Sequence, residues 1–340
     1  MPKFICSETR ENNIDVVTLS CDSGDASRSI TIKISPHEGN NLFYFNVGGN
    51  DLIAYDPSLS LADYLTGTPI LFPFPNRIED CLWHWNGKTY IQKKDGIPIQ
   101  LHSLVYDEKW EYETPYADEN GAYLKTFIKV DERHPIYKGY SFKFELRINY
   151  RLTSNSVIFA YEVVNRDDKT MPYGFALHPF FTRISGDDGT MVCVPLASRY
   201  EARDDVDPAY LNKFNRGFAL VGNILPTGKL LSADGKYDLS TPVPVGALVL
   251  DDVYTNKQVG RDVCIDYTKQ GIKLYMKTSD EFTHYTIYTP PGESYFAIEP
   301  QTCCTDAVNL YARGVEHTGL HTLAAGESTA GFVEFQIMRN

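Results

Sequence analysis

The sequence predicts an all-β protein with the architecture of a large antiparallel β-sandwich. The clearest pattern lies at 140–152, where apolar residues occupy every even position and polar residues every odd one. This period of two puts alternate side chains on opposite faces of a strand, one buried and one solvated. A second strand at 156–164 follows a Thr-Ser-Asn turn, and together they predict a hairpin. Helical periodicity is weak along the chain.

Further strands are predicted where short apolar or alternating segments stand between turn residues. These segments are 15–20, 29–34, 42–46, 122–130, 284–289, 295–299 and 332–338. Short helical turns are expected at 58–65 and 208–215, and a loop region rich in Gly, Asp and Pro at 183–240. No Pro/Ser linker, low-complexity tract or repeat divides the chain, so we expect one sandwich domain spanning residues 1–340.

Composition and charge restrict the class of partner. The chain has 32 basic and 44 acidic residues, a net charge of −12, which argues against nucleic acids and anionic membranes as partners. Seven cysteines without a CxxC pair predict reduced thiols. The N-terminus lacks the apolar core of a signal peptide, and no apolar run reaches the roughly 18 residues of a membrane span. We expect a cytoplasmic protein, either a monomer or a homodimer.

Two titratable residues stand in apolar, aromatic segments and each precedes a proline. His178 follows Gly-Phe-Ala-Leu, and Glu299 follows Tyr-Phe-Ala-Ile. At a strand end inside a desolvated site, an imidazole exchanges protons near neutrality and a carboxylate with a raised pKa acts as a general base. Each residue taken alone is as well explained by a structural role, but the two together predict an acid–base pair. Trp83 and Trp85 alternate on a strand, where core packing is the better interpretation.

Several motifs, taken in their order along the chain, resemble those of the aldose 1-epimerase (galactose mutarotase) family. The most specific are PFPNRI at 73–78, HPFF at 178–181, and EPQT at 299–302 followed by DAxN at 306–309. Leu101-His102-Ser103 and Leu250-Asp251-Asp252-Val-Tyr254 stand between them and also fit. The resemblance runs from about residue 40 to the C-terminus.

The resemblance implies a β-supersandwich with a sugar cleft, and an isomerase that interconverts the α and β anomers of free hexoses. It assigns Glu299 as the base and His178 as the acid, with Arg77, His102 and Asp251 holding sugar hydroxyls. Such a pair predicts a bell-shaped pH profile, with the acid limb from the carboxylate and the alkaline limb from the histidine. No hydride or phosphoryl group moves in this reaction, so no cofactor is expected.

The chain departs from the family pattern at two places. Ser103 stands where the family has glycine, and serine resists the positive φ that glycine allows, so a different loop is expected there. Asp251 and Asp252 are adjacent, and the spacing to Tyr254 favours Asp251 as the sugar ligand.

Two other functions share the scaffold: a mutarotase for hexose phosphates, and a sugar-binding or sensing protein without activity. The phosphate substrate needs several converging basic residues, which the acidic balance disfavours, and binding alone needs no acid–base pair. No metal is expected, because His317 and His321 lie on no evident helix and Asp187-Asp188-Gly189 lacks the fuller calcium-loop pattern.

Overall fold

The structure is a computed structural model that describes residues 2–63, 65–205 and 225–339. Strands dominate it. The first group forms the N-terminal part: β1 (Lys3–Glu11), β2 (Ile14–Asp22), β3 (Ile30–Ser35), β4 (Asn41–Val47) and β5 (Asn50–Asp51). The middle group is β6 (Ile70–Leu71), β7 (Leu82–Trp85), β8 (Lys88–Ile91), β9 (Lys93–Lys94), β10 (Ile97–Pro98), β11 (Glu111–Tyr112), β12 (Tyr116–Asp118), β13 (Gly121–Val130), β14 (Phe144–Leu152), β15 (Ser156–Asn165), β16 (Met171–Tyr173), β17 (Ala176–Leu177) and β18 (Phe180–Thr182).

The last group of strands is β19 (Thr190–Cys193), β20 (Leu196–Ala202), β21 (Pro226–Ser232), β22 (Val243–Pro244), β23 (Asp251–Lys257), β24 (Val263–Tyr267), β25 (Ile272–Thr278), β26 (His284–Tyr288), β27 (Tyr295–Gln301), β28 (His321–Leu323) and β29 (Ser328–Arg339). Within the described residues, regular helix is confined to α1 (Ala307–Ala312) and to short 3₁₀ segments at Ala26–Arg28, Leu61–Asp63, Glu79–Cys81, Pro135–Lys138, Gly235–Tyr237 and Val245–Ala247. The all-β fold class predicted from the sequence is confirmed.

Three antiparallel sheets carry most of these strands. A five-stranded sheet runs β1-β2-β3-β4-β5. A ten-stranded sheet runs β11-β13-β14-β15-β29-β25-β24-β19-β22, with β12 also paired to β13. An eight-stranded sheet runs β21-β20-β23-β26-β27-β17-β6, with β18 also paired to β27. Among the described residues there are also three two-stranded ribbons, β7–β8, β9–β10 and β16–β28, and a few isolated bridges.

The hydrophobic core lies on one face of the eight-stranded sheet. Phe181 of β18 contacts Phe335 of β29 in the ten-stranded sheet, with ring centroids 5.7 Å apart. On β27, Phe296 and Ile298 are fully buried in this core. Alternation along the strand directs Glu299 and Gln301 to the opposite face, since successive side chains point to opposite sides of a sheet. One face of this sheet therefore holds the fold together, and the other carries the candidate site.

Three sequence predictions need correction or lie outside the described part of the chain. The expected loop region at 183–240 contains β19, β20 and β21. The turn expected at 58–65 is a 3₁₀ segment over Leu61–Asp63, and the turn expected at 208–215 lies outside the described residues. No helix in the described ranges is both long and apolar enough to span a bilayer.

Candidate active site

His178 and Glu299 come together at the centre of the eight-stranded sheet. His178 directly follows β17, where its backbone N–H donates to the carbonyl of Pro69 at 2.9 Å. Its Nε2 lies 3.3 Å from Oε1 of Glu299. Both side chains are buried, with 5% and 1% of their residue surfaces exposed. The structure therefore places the predicted acid and base within reach of one shared proton.

The proline after Glu299 had suggested that Glu299 lies at a strand end, but Glu299 lies inside β27. β27 continues through Pro300 to Gln301, and Pro300 pairs with Tyr285 of β26. On its other side β27 pairs with β17 at Gln301 and with β18 at Ala297, and the ladder is interrupted between them. A proline, which donates no backbone hydrogen bond, is tolerated in a central strand at such an interruption.

Gln301 orients the carboxyl group of Glu299, a role that the sequence analysis missed. Its amide Nε2 donates to Oε2 of Glu299 at 3.0 Å and to Oγ1 of Thr286 at 2.7 Å. The separation of two residues along β27 puts Glu299 and Gln301 on the same face, which is the signal that could have revealed the contact. With Oε2 engaged by Gln301, Oε1 is the oxygen that faces His178.

Arg77 and His102 reach the same region from neighbouring segments. The His102 ring stands perpendicular to that of His178, with centroids 5.0 Å apart and an interplanar angle of 89°. His102 N–H donates to the carbonyl of Asn76 at 2.7 Å, and Arg77 forms an isolated antiparallel bridge with Leu101. The guanidinium Nη1 of Arg77 donates to Oδ1 of Asn76 at 3.0 Å. The segments that carry Arg77 and His102 are thus joined backbone to backbone.

Strand pairing separates Asp251 from Asp252. Asp251 pairs with Tyr288, and two residues further on Val253 pairs with Thr286, which in turn pairs with Glu299. Asp251 therefore shares the face of the sheet that carries Glu299. Asp252 points to the other face, where its Oδ1 lies 3.7 Å from Nη1 of Arg199. Of the two carboxylates, Asp251 is the one placed toward the acid–base pair.

Burial controls the ionisation of these groups. Burial, reinforced by the nearby charge of Asp251, raises the pKa of Glu299 well above its ordinary value. Burial lowers the pKa of His178 to about 3 and also places the pKa of His102 well below its usual range. Burial raises the pKa of Asp251, while Arg77 opposes that rise. His178 therefore loses its proton at lower pH than Glu299.

This order predicts a different assignment of the two pH limbs from the one that the resemblance implies. A neutral carboxylic acid beside a neutral imidazole carries the same number of protons as a carboxylate beside an imidazolium. The two residues titrate as a pair, and their apparent pKa values belong to the pair. On this order, a limb at acid pH would follow addition of a second proton, chiefly to His178, and a limb at alkaline pH would follow loss of the shared one.

Ser103 adopts the backbone conformation that was expected to require glycine. Its φ is 70°, and that of His102 is 60°. The buried Ser103 hydroxyl accepts from the N–H of Phe74 at 3.2 Å and lies 3.4 Å from Oε1 of Gln92, to which it donates. These contacts offset the cost of a left-handed serine, which is about 1–2 kcal/mol. The loop keeps a positive φ, contrary to the expectation that serine would change it.

The other side chains considered in the sequence make contacts typical of structural residues. Trp83 stacks on Tyr90 with centroids 4.1 Å apart, and the indole N–H of Trp85 donates to the carbonyl of Thr170. His317 Nε2 lies 2.9 Å from the carbonyl oxygen of Gly228. All seven cysteines are free. In the described ranges, no three or more His, Cys, Asp or Glu side chains cluster as metal ligands.

The fold places the chain in the galactose mutarotase-like class of all-β proteins. Residues 45–336 match the family described as aldose 1-epimerase, and the chain belongs to that family.

Solved structures share the fold at low sequence identity. A galactose mutarotase-like protein from Clostridium acetobutylicum is 20% identical, with a TM-score of 0.82 and 99% of each chain covered. A galactose 1-epimerase from Lactobacillus acidophilus is 16% identical, with a TM-score of 0.72 and coverage of 100% of this chain and 99% of that one. An aldose epimerase homologue from C. elegans is 16% identical, with a TM-score of 0.69 and the same coverage.

Proposed function

We propose that the protein is a mutarotase that interconverts the α and β anomers of free hexoses of the glucose or galactose type. The observation that carries this proposal is the buried contact between His178 Nε2 and Glu299 Oε1 at 3.3 Å, on the same sheet face as Asp251. Membership of the aldose 1-epimerase family supports it.

The reaction needs two proton transfers and one bond cleavage. The carboxylate of Glu299 accepts the proton of the anomeric hydroxyl, and the imidazolium of His178 donates a proton to the ring oxygen. The bond between the anomeric carbon and the ring oxygen breaks, which gives the open-chain aldehyde. Rotation about the bond to the next carbon exposes the other face of the carbonyl. The reverse proton transfers then close the ring as the opposite anomer, and the pair returns to its starting state.

The protonation of the His178–Glu299 pair is compatible with these roles. Burial favours the uncharged forms of both residues, and this uncharged pair already contains the single proton that the reaction uses. A sugar that brings polar hydroxyls between the two groups stabilises the charged arrangement, because hydrogen bonds to the charged form favour it. No proton has to enter or leave the site for the pair to become carboxylate and imidazolium.

The charges around the pair favour a neutral substrate. Arg77 is the basic side chain whose charge acts on His178, Glu299 and Asp251 in the described part of the chain. Its guanidinium offers a fork of donors to sugar hydroxyls, and Asp251 accepts from them. Asp251 would repel a phosphate held beside Arg77.

Polarimetry tests the proposal directly. Freshly dissolved α-D-glucose or α-D-galactose is followed to rotational equilibrium with and without the protein. We expect the wild type to accelerate the change, and Glu299→Gln and His178→Asn each to reduce kcat/KM by about 10²–10⁴-fold, the contribution typical of one positioned acid or base.

Two results would count against the proposal. A wild-type protein that leaves the rate of mutarotation unchanged for both sugars rejects the activity. Near-normal turnover by Glu299→Gln removes that residue from the mechanism. Glu293→Gln is the matched control, because it removes an exposed carboxylate just before the same strand.

A further inference from the structure

The DAxN motif at 306–309 is not part of the acid–base site, yet it is bonded to the segment that carries Arg77. Asp306 N–H donates to the carbonyl of Arg77 at 3.0 Å. Its side-chain Oδ1 accepts from the backbone N–H of Glu79 at 3.2 Å. Asp306 thus holds the chain on both sides of Ile78, across a sequence separation of 227 residues for the second bond.

Asn309 adds three side-chain hydrogen bonds to this set of contacts. Its Oδ1 accepts from the N–H of His84 at 3.1 Å, and its Nδ2 donates to the carbonyl of Leu82 at 2.8 Å. The same Nδ2 also donates to Oδ1 of Asp306 at 2.7 Å. Both side chains are buried, so these bonds do not compete with bulk water.

The segment held in this way has an irregular backbone that needs external support. Asn76, Asp80 and Cys81 all have positive φ, at 60°, 53° and 60°. Within the described residues, the 3₁₀ segment Glu79–Cys81 joins no ladder, and the Asp306 side chain bonds to it at the N–H of Glu79. Asn309 holds the next stretch, through Leu82 and His84 of β7. Asn76 lies at the start of the segment and accepts the N–H of His102.

We propose that Asp306 and Asn309 are positioning residues that hold residues 76–84 so that Arg77, and His102 through Asn76, face the acid–base pair. This inference rests on the proposed function. It links the position of Arg77 to the strand that carries Glu299, because Asp306 follows Glu299 by only seven residues. The short stretch 299–306 then fixes the position of Arg77 relative to Glu299.

A pair of matched substitutions isolates the side-chain contact. Asp306 has φ 56°, a conformation that glycine and asparagine both tolerate. Asp306→Gly keeps the backbone and removes the acceptor for the N–H of Glu79, together with the bonds from Asn309 and Arg313. Asp306→Asn keeps the backbone and an amide oxygen in the place of Oδ1. Asn309→Ala removes the bonds to Leu82 and His84 and the bond to Asp306.

We expect Asp306→Gly and Asn309→Ala to raise KM for the free hexose about ten- to a hundredfold, with kcat changed by less than about threefold. Arg77 contacts hydroxyls that do not react, so its displacement weakens substrate and transition state alike. Asp306→Asn should restore most of the affinity. In an Arg77→Ala background, Asp306→Gly should add little, because both changes act on the same contact.

The positioning role is overturned by a wild-type KM in folded Asp306→Gly, by an Asp306→Asn as impaired as Asp306→Gly, or by additive effects in the double variant. A loss of activity that only tracks the unfolded fraction in circular dichroism, with KM unchanged, also overturns it. The proposed function fails separately, when the wild type does not change the rate of mutarotation. If such a wild type still binds galactose in calorimetry, the same variants are compared by Kd. If it binds no sugar, both proposals are rejected.

Discussion

Replacing Glu299 with glutamine should make the protein more stable at alkaline pH, in addition to removing the proposed base. Glu299 is 1% exposed, and burial raises its pKa well above the ordinary value of 4.5. The folded protein therefore keeps a proton on this carboxyl group at pH values where the unfolded chain has lost it. Folding at those pH values requires uptake of a proton, which becomes more costly as the pH rises.

The size of the effect follows from counting protons on the His178–Glu299 pair. Between pH 4.5 and 6.5 the unfolded chain binds one proton, on His178, and the folded pair also holds one, so stability does not change with pH. Above pH 6.5 the unfolded chain holds none. Stability then falls by about 1.4 kcal/mol per pH unit until the raised pKa of Glu299 is reached.

In Glu299→Gln only the imidazole titrates. Its folded pKa of about 3 lies below the ordinary 6.5, so its stabilising contribution is complete above pH 6.5 and is lost as the pH falls toward 3. Above pH 6.5 the variant therefore has no slope from this pair. Above pH 6.5 it should therefore gain about 1.4 kcal/mol per pH unit on the wild type, up to the raised pKa of Glu299.

Thermal unfolding by circular dichroism measures the gain. An unfolding entropy of about 2 cal/mol/K per residue, over 340 residues, converts about 1.4 kcal/mol into a Tm difference of about 2 °C for each pH unit. Glu293→Gln, which removes an exposed carboxylate, should show no such growth between pH 6.5 and 8. A gap between wild type and Glu299→Gln that stays constant over this range would mean that Glu299 is ionised in the folded protein, and the account of the pair would be wrong.

Three further predictions concern the pair, the serine and the substrate. His178→Asn should lose the acid limb of kcat/KM in its residual activity, because the low pKa of that limb is governed chiefly by His178; an unchanged acid limb measured by polarimetry would assign it to another group. Ser103→Ala should lower stability in urea unfolding by about 1–3 kcal/mol, because it leaves the buried N–H of Phe74 without its acceptor. Ser103→Gly loses the same bond but relieves the left-handed backbone, so its loss of stability should be smaller. Equal losses in the two variants would show that φ at this position carries no strain. Free glucose or galactose should be converted faster than glucose 6-phosphate, with KM nearly independent of salt; a strong phosphate preference with a KM that rises steeply with salt would instead favour the hexose-phosphate alternative.

The fold was predictable because alternation and turn residues are local properties of the sequence. The hairpin at β14–β15 was found on this basis. The prediction began the strand at Tyr140, but β14 begins at Phe144. Tyr140 is buried after the 3₁₀ segment, and its hydroxyl donates to the carbonyl of Pro172. Core packing keeps a residue apolar whether it lies in a strand or a loop, so the pattern cannot give the boundary.

The site residues were predicted from motif order, but the contacts that support them were not. The contact between Gln301 and Glu299 could have been predicted from strand alternation, because residues two apart lie on the same face of a strand. The bonds from Asp306 and Asn309 to residues 77–84 join parts of the chain that are far apart in sequence and involve irregular backbone. No periodicity or spacing encodes such contacts. The same holds for the hydroxyl of Ser103, whose partner on Phe74 becomes a neighbour only in the folded chain.

The alternation of Asp251 and Asp252 makes β23 sensitive to insertion and deletion. Each aspartate is matched to its own face, Asp251 toward Glu299 and Asp252 toward Arg199. Loss of one residue before this strand would exchange the two faces, because a shift of one position inverts every side chain. The chain would keep an aspartate on the face of Glu299, while Tyr254 and its buried neighbours would turn away from the core. A substitution at Asp251 or Asp252 is a local change, whereas the deletion of one residue alters the packing of the whole strand.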